Sequence, residues 1–130
     1  MGTINLNGNL VAGPAGASAF PGGAGSYSLA TSPDPKPFSV TAQGVKQLNS
    51  PSAYQTLPGV GAGSDVTGAD FVYIKANAPV LVRLTQAGLG SPAIVQVQGM
   101  LIMEFPANAL CTLIEVEGSA TVEYLATGQS

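Results

Sequence analysis

At 130 residues the chain suffices for one domain with one hydrophobic core, and a hydrophobic fraction of 45% excludes wholesale disorder. Only 8% of residues are charged, against roughly 25% in an ordinary soluble domain, so the surface resists self-association poorly unless a partner covers it. The net charge is −3 and Lys36, Lys46, Lys75 and Arg83 stand apart, which excludes direct nucleic-acid binding through a clustered basic patch.

From Met1 to Pro37 the chain alternates short β-prone pieces (TINLN, ASAF, SYSLA) with GNLVAGPAGA and PGGAG, too rich in Gly and Pro for a helix interior. The start lacks a basic region followed by an apolar core, so no signal peptide is expected there. No apolar run reaches the roughly 20 residues that span a bilayer, so no membrane association is expected. Two readings of this stretch stay open: edge strands packed on the main body, or an extended arm ordered on a neighbouring subunit. SPDPKP places proline at 33, 35 and 37, which excludes helix and marks a stiff connector. The expected organisation is an arm or edge strands over residues 1–37 and a β-sandwich domain over 38–130.

Phe38, Val40 and Ala42 alternate with Ser39, Thr41 and Gln43, the pattern of a half-buried strand, and Gly44 is expected to bulge or end it. Residues 45–57 fit a strand, a short helical turn or an irregular crossing. Residues 58–70, PGVGAGSDVTGAD, read as an exposed Gly-rich loop without an apolar face.

From Asp70 the alternation is regular and predicts consecutive antiparallel strands. DFVYIKA and PVLVRLT are separated by a turn at Asn77-Ala78-Pro79; AIVQVQG follows the turn AGLGSP; MLIMEF, apolar on both faces apart from Glu104, reads as an interior strand. A closing hairpin is expected with its two-residue turn at Glu117-Gly118 or Gly118-Ser119. It would put Cys111, Leu113, Ala120, Val122 and Tyr124 on a core face, with Ile114, Val116, Thr121 and Glu123 on the other. The expected fold is all-β, an antiparallel two-sheet sandwich of jelly-roll type with an extended Gly/Pro-rich N-terminal segment.

Chemistry-bearing constellations are sparse. The chain has no histidine, which removes Ser-His-Asp and Cys-His nucleophilic machinery and most zinc sites. Its single cysteine, Cys111, lies in an apolar strand as a small hydrophobe and cannot form an intrachain disulfide. Glu115 and Glu117, two apart on one strand, face the same side, and Glu123 lies on the facing strand; they read as a solvated strand end, with a weak calcium site as the alternative. Asp65 and Asp70 bracket the Gly-rich loop without calcium-loop spacing. Gly59, Gly61 and Gly63 lack the strand-before, helix-after context of a phosphate cradle. Arg83 is expected to be an edge charge that discourages strand addition. Tyr27, Tyr54, Tyr73 and Tyr124 do not cluster in sequence. No cofactor and no enzymatic activity are expected.

The segments FVYIKANAPVLVRLT and VQGMLIMEFPANALCTLIEVEGSATVEYLATG, ending in a V-E-Y-L-x-x-G tail, resemble small tailed-bacteriophage virion proteins, above all the jelly-roll decoration (cement) proteins of capsids. The resemblance covers about the last 60 residues. It implies a structural protein, made in the host cytoplasm and located on the capsid surface. Such proteins bind as dimers or trimers over junctions between major capsid subunits and stabilise the shell. Phe20, Tyr27, Phe38 and Tyr54 are then candidate interface anchors, since large aromatics dominate such contacts, although each also suits an ordinary core. A receptor- or carbohydrate-binding module of a phage fibre or tail appendage is the alternative.

Overall fold

The computed structural model describes residues 2–4, 9–11, 26–28 and 36–129. The chain divides into two units, Met1–Phe38 and Ser39–Ser130. In the first, β1 (Gly2–Ile4) pairs antiparallel with β4 (Lys36–Phe38), and β2 (Asn9–Val11) with β3 (Ser26–Ser28). Gly2 stands opposite Phe38, and a methyl group at Gly2 would come within 2.6 Å of the Phe38 ring.

The second unit is one antiparallel sheet of six strands: β5 (Val40–Thr56), β6 (Phe71–Ala76), β7 (Val80–Gln86), β8 (Ala93–Val97), β9 (Met100–Glu104) and β10 (Cys111–Gly128). No helix occurs among the described residues. β10 is the spine. β5 runs along one side of it; on the other, β7 lies against its first part and β6 against its second. β8 lies outside β7 and β9 outside β6.

Two expected turns are therefore bends. β6 and β7 do not pair with each other across Asn77–Pro79 but lie end to end along β10, where Asn77 Oδ1 accepts a 2.9 Å bond from the Thr121 N–H. The expected closing hairpin is likewise absent: β10 continues through Gly118, whose φ of +152° favours glycine. The apolar phase explains why. Ile114, Val116, Ala120, Val122, Tyr124 and Ala126 all occupy even positions and are all buried. A continuous strand puts the whole set on one face, whereas a two-residue turn would have turned Ile114 and Val116 away from Val122 and Tyr124. Gly44 does not interrupt β5; it stays in register opposite Tyr124, whose ring covers it and whose hydroxyl donates to the Pro58 carbonyl at 2.9 Å.

The sheet curls until the two ends of β10 meet the same short segment. Ala69 and Cys111 exchange backbone bonds of 2.7 and 2.9 Å, and the next residue, Asp70, donates its N–H to the Thr127 carbonyl at 2.9 Å. A flat strand of that length would separate its ends by roughly 50–60 Å. Ser39 and Gly128 are also joined, by a 2.9 Å backbone bond. The inner face of the curl is the core, with Val72, Ile74, Val82 and Leu84 among its fully or almost fully buried members.

Residues 58–70 complete that core, contrary to the expectation of an exposed loop. Val60 and Val66 form a parallel bridge and are buried, with Gly61 N–H donating to the Val66 carbonyl at 2.9 Å. Positive φ at Gly59, Gly61 and Gly63 lets the chain reverse tightly enough for both valines to face inward. β9 differs too. Among the described residues its one strand partner is β6, which makes it an edge strand there, with Leu101 and Met103 on the core and Met100 and Ile102 on the opposite face.

Candidate functional site

The face of the sheet turned away from the core is unusually apolar. Cross-strand register aligns Gln43, Leu125, Tyr73 and Ile102 in one row across β5, β10, β6 and β9, and Val45, Glu123, Lys75 and Met100 in the next. Val45 is 70% exposed and Met100 59%, while Tyr73, Ile102 and Leu125 are half-buried. A shallow depression of about 520 Å³ is lined by Gln43, Val45, Tyr73, Glu123 and Leu125. Past the bend the band continues through Ile94, 59% exposed, opposite Arg83. Apolar side chains interleaved with a few polar ones make a surface suited to protein contact.

Arg83 is not an edge charge. β7 lies between β8 and β10, and Arg83 is the direct cross-strand partner of Glu115. Its Nε and Nη2 donate to the two carboxylate oxygens at 2.9 and 2.8 Å, a bidentate pair, and Tyr54 stacks on the guanidinium with 4.0 Å between Cζ and ring centroid. The hydrogen bond to Glu115 raises the guanidinium pKa above its ordinary value. These three residues form a closed cluster whose charges answer one another.

The remaining candidates separate. Glu115 and Glu117 share a side of β10, as expected from their spacing, but Glu123 belongs to the same strand beyond Gly118 instead of a facing one. Among the described residues no three His, Cys, Asp or Glu side chains gather into a metal-binding group. Asp65 is exposed on the loop and Asp70 is half-buried at the seam. Cys111 is fully buried, its thiol donating to the Leu113 carbonyl at 3.5 Å, and burial pushes its pKa up to about 11. That holds it protonated at neutral pH, far from the thiolate a nucleophile needs. Tyr124 is raised by desolvation.

Of the four candidate anchors, Phe20 lies outside the described residues. Tyr27 stands opposite Leu10 in the β2–β3 pair, Phe38 is half-buried in β4, and Tyr54 is the ring stacked on Arg83. Tyr27 and Phe38 belong to the first unit, and Tyr54 belongs to neither of the two rows. Those rows hold Val45, Tyr73, Met100, Ile102 and Leu125, and Met100 and Ile102 were missed because an apolar run on both faces reads as an interior strand. On an edge strand the same run leaves one apolar face in solvent. Comparison with known protein families, characterised proteins and solved structures gives no match for this chain.

Proposed function

We propose that this chain is a structural virion protein that binds the outside of a bacteriophage capsid as a dimer or trimer and stabilises it by bridging neighbouring major capsid subunits. It acts without catalysis, as contact area. The observation that carries the reading is the outer sheet face: Val45, Ile94 and Met100 are large apolar side chains more than half exposed on a chain with only 8% charged residues. Such a band is costly in water and favourable once covered, and an interface on the order of 1,000 Å² would hold without a reactive group. The C-terminal resemblance to decoration proteins points the same way. In this reading the two halves of the curled sheet serve as the layers of a jelly-roll-like sandwich.

The test is binding of the purified chain to capsids that lack it. Co-sedimentation with the shells, together with a rise in the temperature at which they open, is expected. Failure to bind any shell encoded alongside it refutes the reading. The alternative, a glycan-binding module, is favoured by one feature, the depression where Tyr73 lies beside Gln43 and Glu123; saturable glycan binding lost in Tyr73→Ala, with no shell binding, would select it.

A further inference from the structure

We propose that the outer edge of β8 pairs with β8 of a second copy, antiparallel about a two-fold axis at Val95. The backbone supplies the first argument. Leu57, one residue past the Thr56–Glu115 rung, donates its N–H to the Ile114 carbonyl at 2.9 Å, so Ile114 bonds on the β5 side of β10. In an antiparallel ladder the bonding direction alternates residue by residue. Leu113, Glu115 and Glu117 therefore turn their N–H and C=O groups to the other neighbour, β7. Glu115 stands opposite Arg83 and Glu117 opposite Leu81, so Val80, Val82 and Leu84 turn theirs to β8. There Val97, Val95 and Ala93 answer them, which leaves the groups of Ile94 and Gln96 directed away from the sheet. Among the described residues β7 is the one strand that β8 pairs with, and Ile94 and Gln96 are both exposed.

The strand is its own complement. Centred on Val95, Ala93–Val97 meets its copy along its whole length: Val95 faces Val95, Ile94 faces Gln96, and Ala93 faces Val97. Each Ile94–Gln96 pair exchanges N–H···O=C bonds in both directions. Pro92, which has no N–H to offer, stands just past the last rung. The side chains agree with the backbone. Val95 ends the core-face row Val116, Val82, Val95, in which the first two are fully buried and Val95 is half-buried. A second Val95 beside it covers the side left open and carries the apolar stripe across the junction. Apart from Val45, the large apolar side chains more than half exposed among the described residues, Leu89, Ile94 and Met100, all lie on β8 or just beyond its ends. The guards that keep edges apart are missing here. β5, on the far side of the sheet, carries Lys46 and Pro51, whereas β8 reads AIVQV, with no charge to repel a copy of itself. The biological purpose of this pairing rests on the coat reading above, but the pairing itself does not.

The full chain with Val95→Cys tests it. Opposed residues of a non-bonded antiparallel pair have Cα atoms about 4.5 Å apart, within disulfide reach, so a disulfide-linked dimer is expected under oxidising conditions. Ala93→Cys places its two thiols four positions apart, roughly 13 Å, and is expected to stay unlinked; the native Cys111 is fully buried and links neither variant. The unmodified chain is expected to sediment as a dimer. Like charges at the opposed positions, Ile94→Glu with Gln96→Glu, are expected to dissociate it, and opposite charges, Ile94→Glu with Gln96→Lys, to keep it paired. A monomer at every concentration, linkage through Ala93→Cys but not Val95→Cys, or a dimer that both charge pairs leave unchanged overturns the proposal. A cross-linked dimer that ignores capsids leaves the pairing standing and removes the coat reading; capsid binding by a monomer does the reverse.

Discussion

Two buried side chains on β10 define what single residues contribute. Thr127 is fully buried, and among the described residues nothing reaches its Oγ1 within hydrogen-bonding distance. A hydroxyl sealed from water without a partner is a net loss, so Thr127→Val is expected to raise stability by about 1 kcal/mol in urea denaturation. Cys111 carries a pH signature. Its thiol pKa rises from 9.0 to about 11 on folding, which means that the folded state favours the protonated form. Stability from this source is complete below pH 9 and is lost as pH climbs from 9 towards 11, on the order of 2 kcal/mol. Denaturation midpoints of the unmodified chain should fall more steeply over that window than those of Cys111→Val, and Tyr124, raised by the same desolvation, adds a slope common to both.

At the scale of elements, period-2 alternation located the strands from Phe71 to Val97 because each buries one face and so shows its phase in the sequence. Alternation does not say which strands are neighbours. The dipeptides at Asn77 and Gly118 resemble hairpin turns, and only the phase across them separates a turn from a bend: Ile114 and Val116 keep step with Ala120 and Val122 through Glu117-Gly118-Ser119. That clue was present but was outweighed by local turn chemistry. The position of β9 at an edge was not legible, since no local pattern reports what lies beyond a strand; the buried role of Val60 and Val66 was hidden by the glycines around them. A pair of substitutions measures the point directly. Ile114 is fully buried and Leu113 half-buried. Ile114→Ala is therefore expected to cost about 2–5 kcal/mol and Leu113→Ala clearly less, where a hairpin at Gly118 would have reversed the order.

For the molecule as a whole, the curl makes its strands mutually dependent. The seam at Ala69 and Asp70 holds Cys111 with one residue and Thr127 with the next, so the inner face closes only when segments far apart in sequence have met. Chains dominated by such distant pairings fold slowly, in milliseconds to seconds. The low charge and the exposed apolar band belong to the same account: the inner face secures the fold, and the outer one is left for whatever covers it. The bond between Ser39 and Gly128 also fixes how the second unit responds to force. Pulled apart at those two residues, β5 peels from β10 rung by rung, each bond loaded alone, so the unit should unzip under light tension in an optical trap. Gripped instead at Ser39 and at Glu115, the residue of β10 opposite the far end of β5, it loads the whole ladder in shear and should yield only at a markedly higher force.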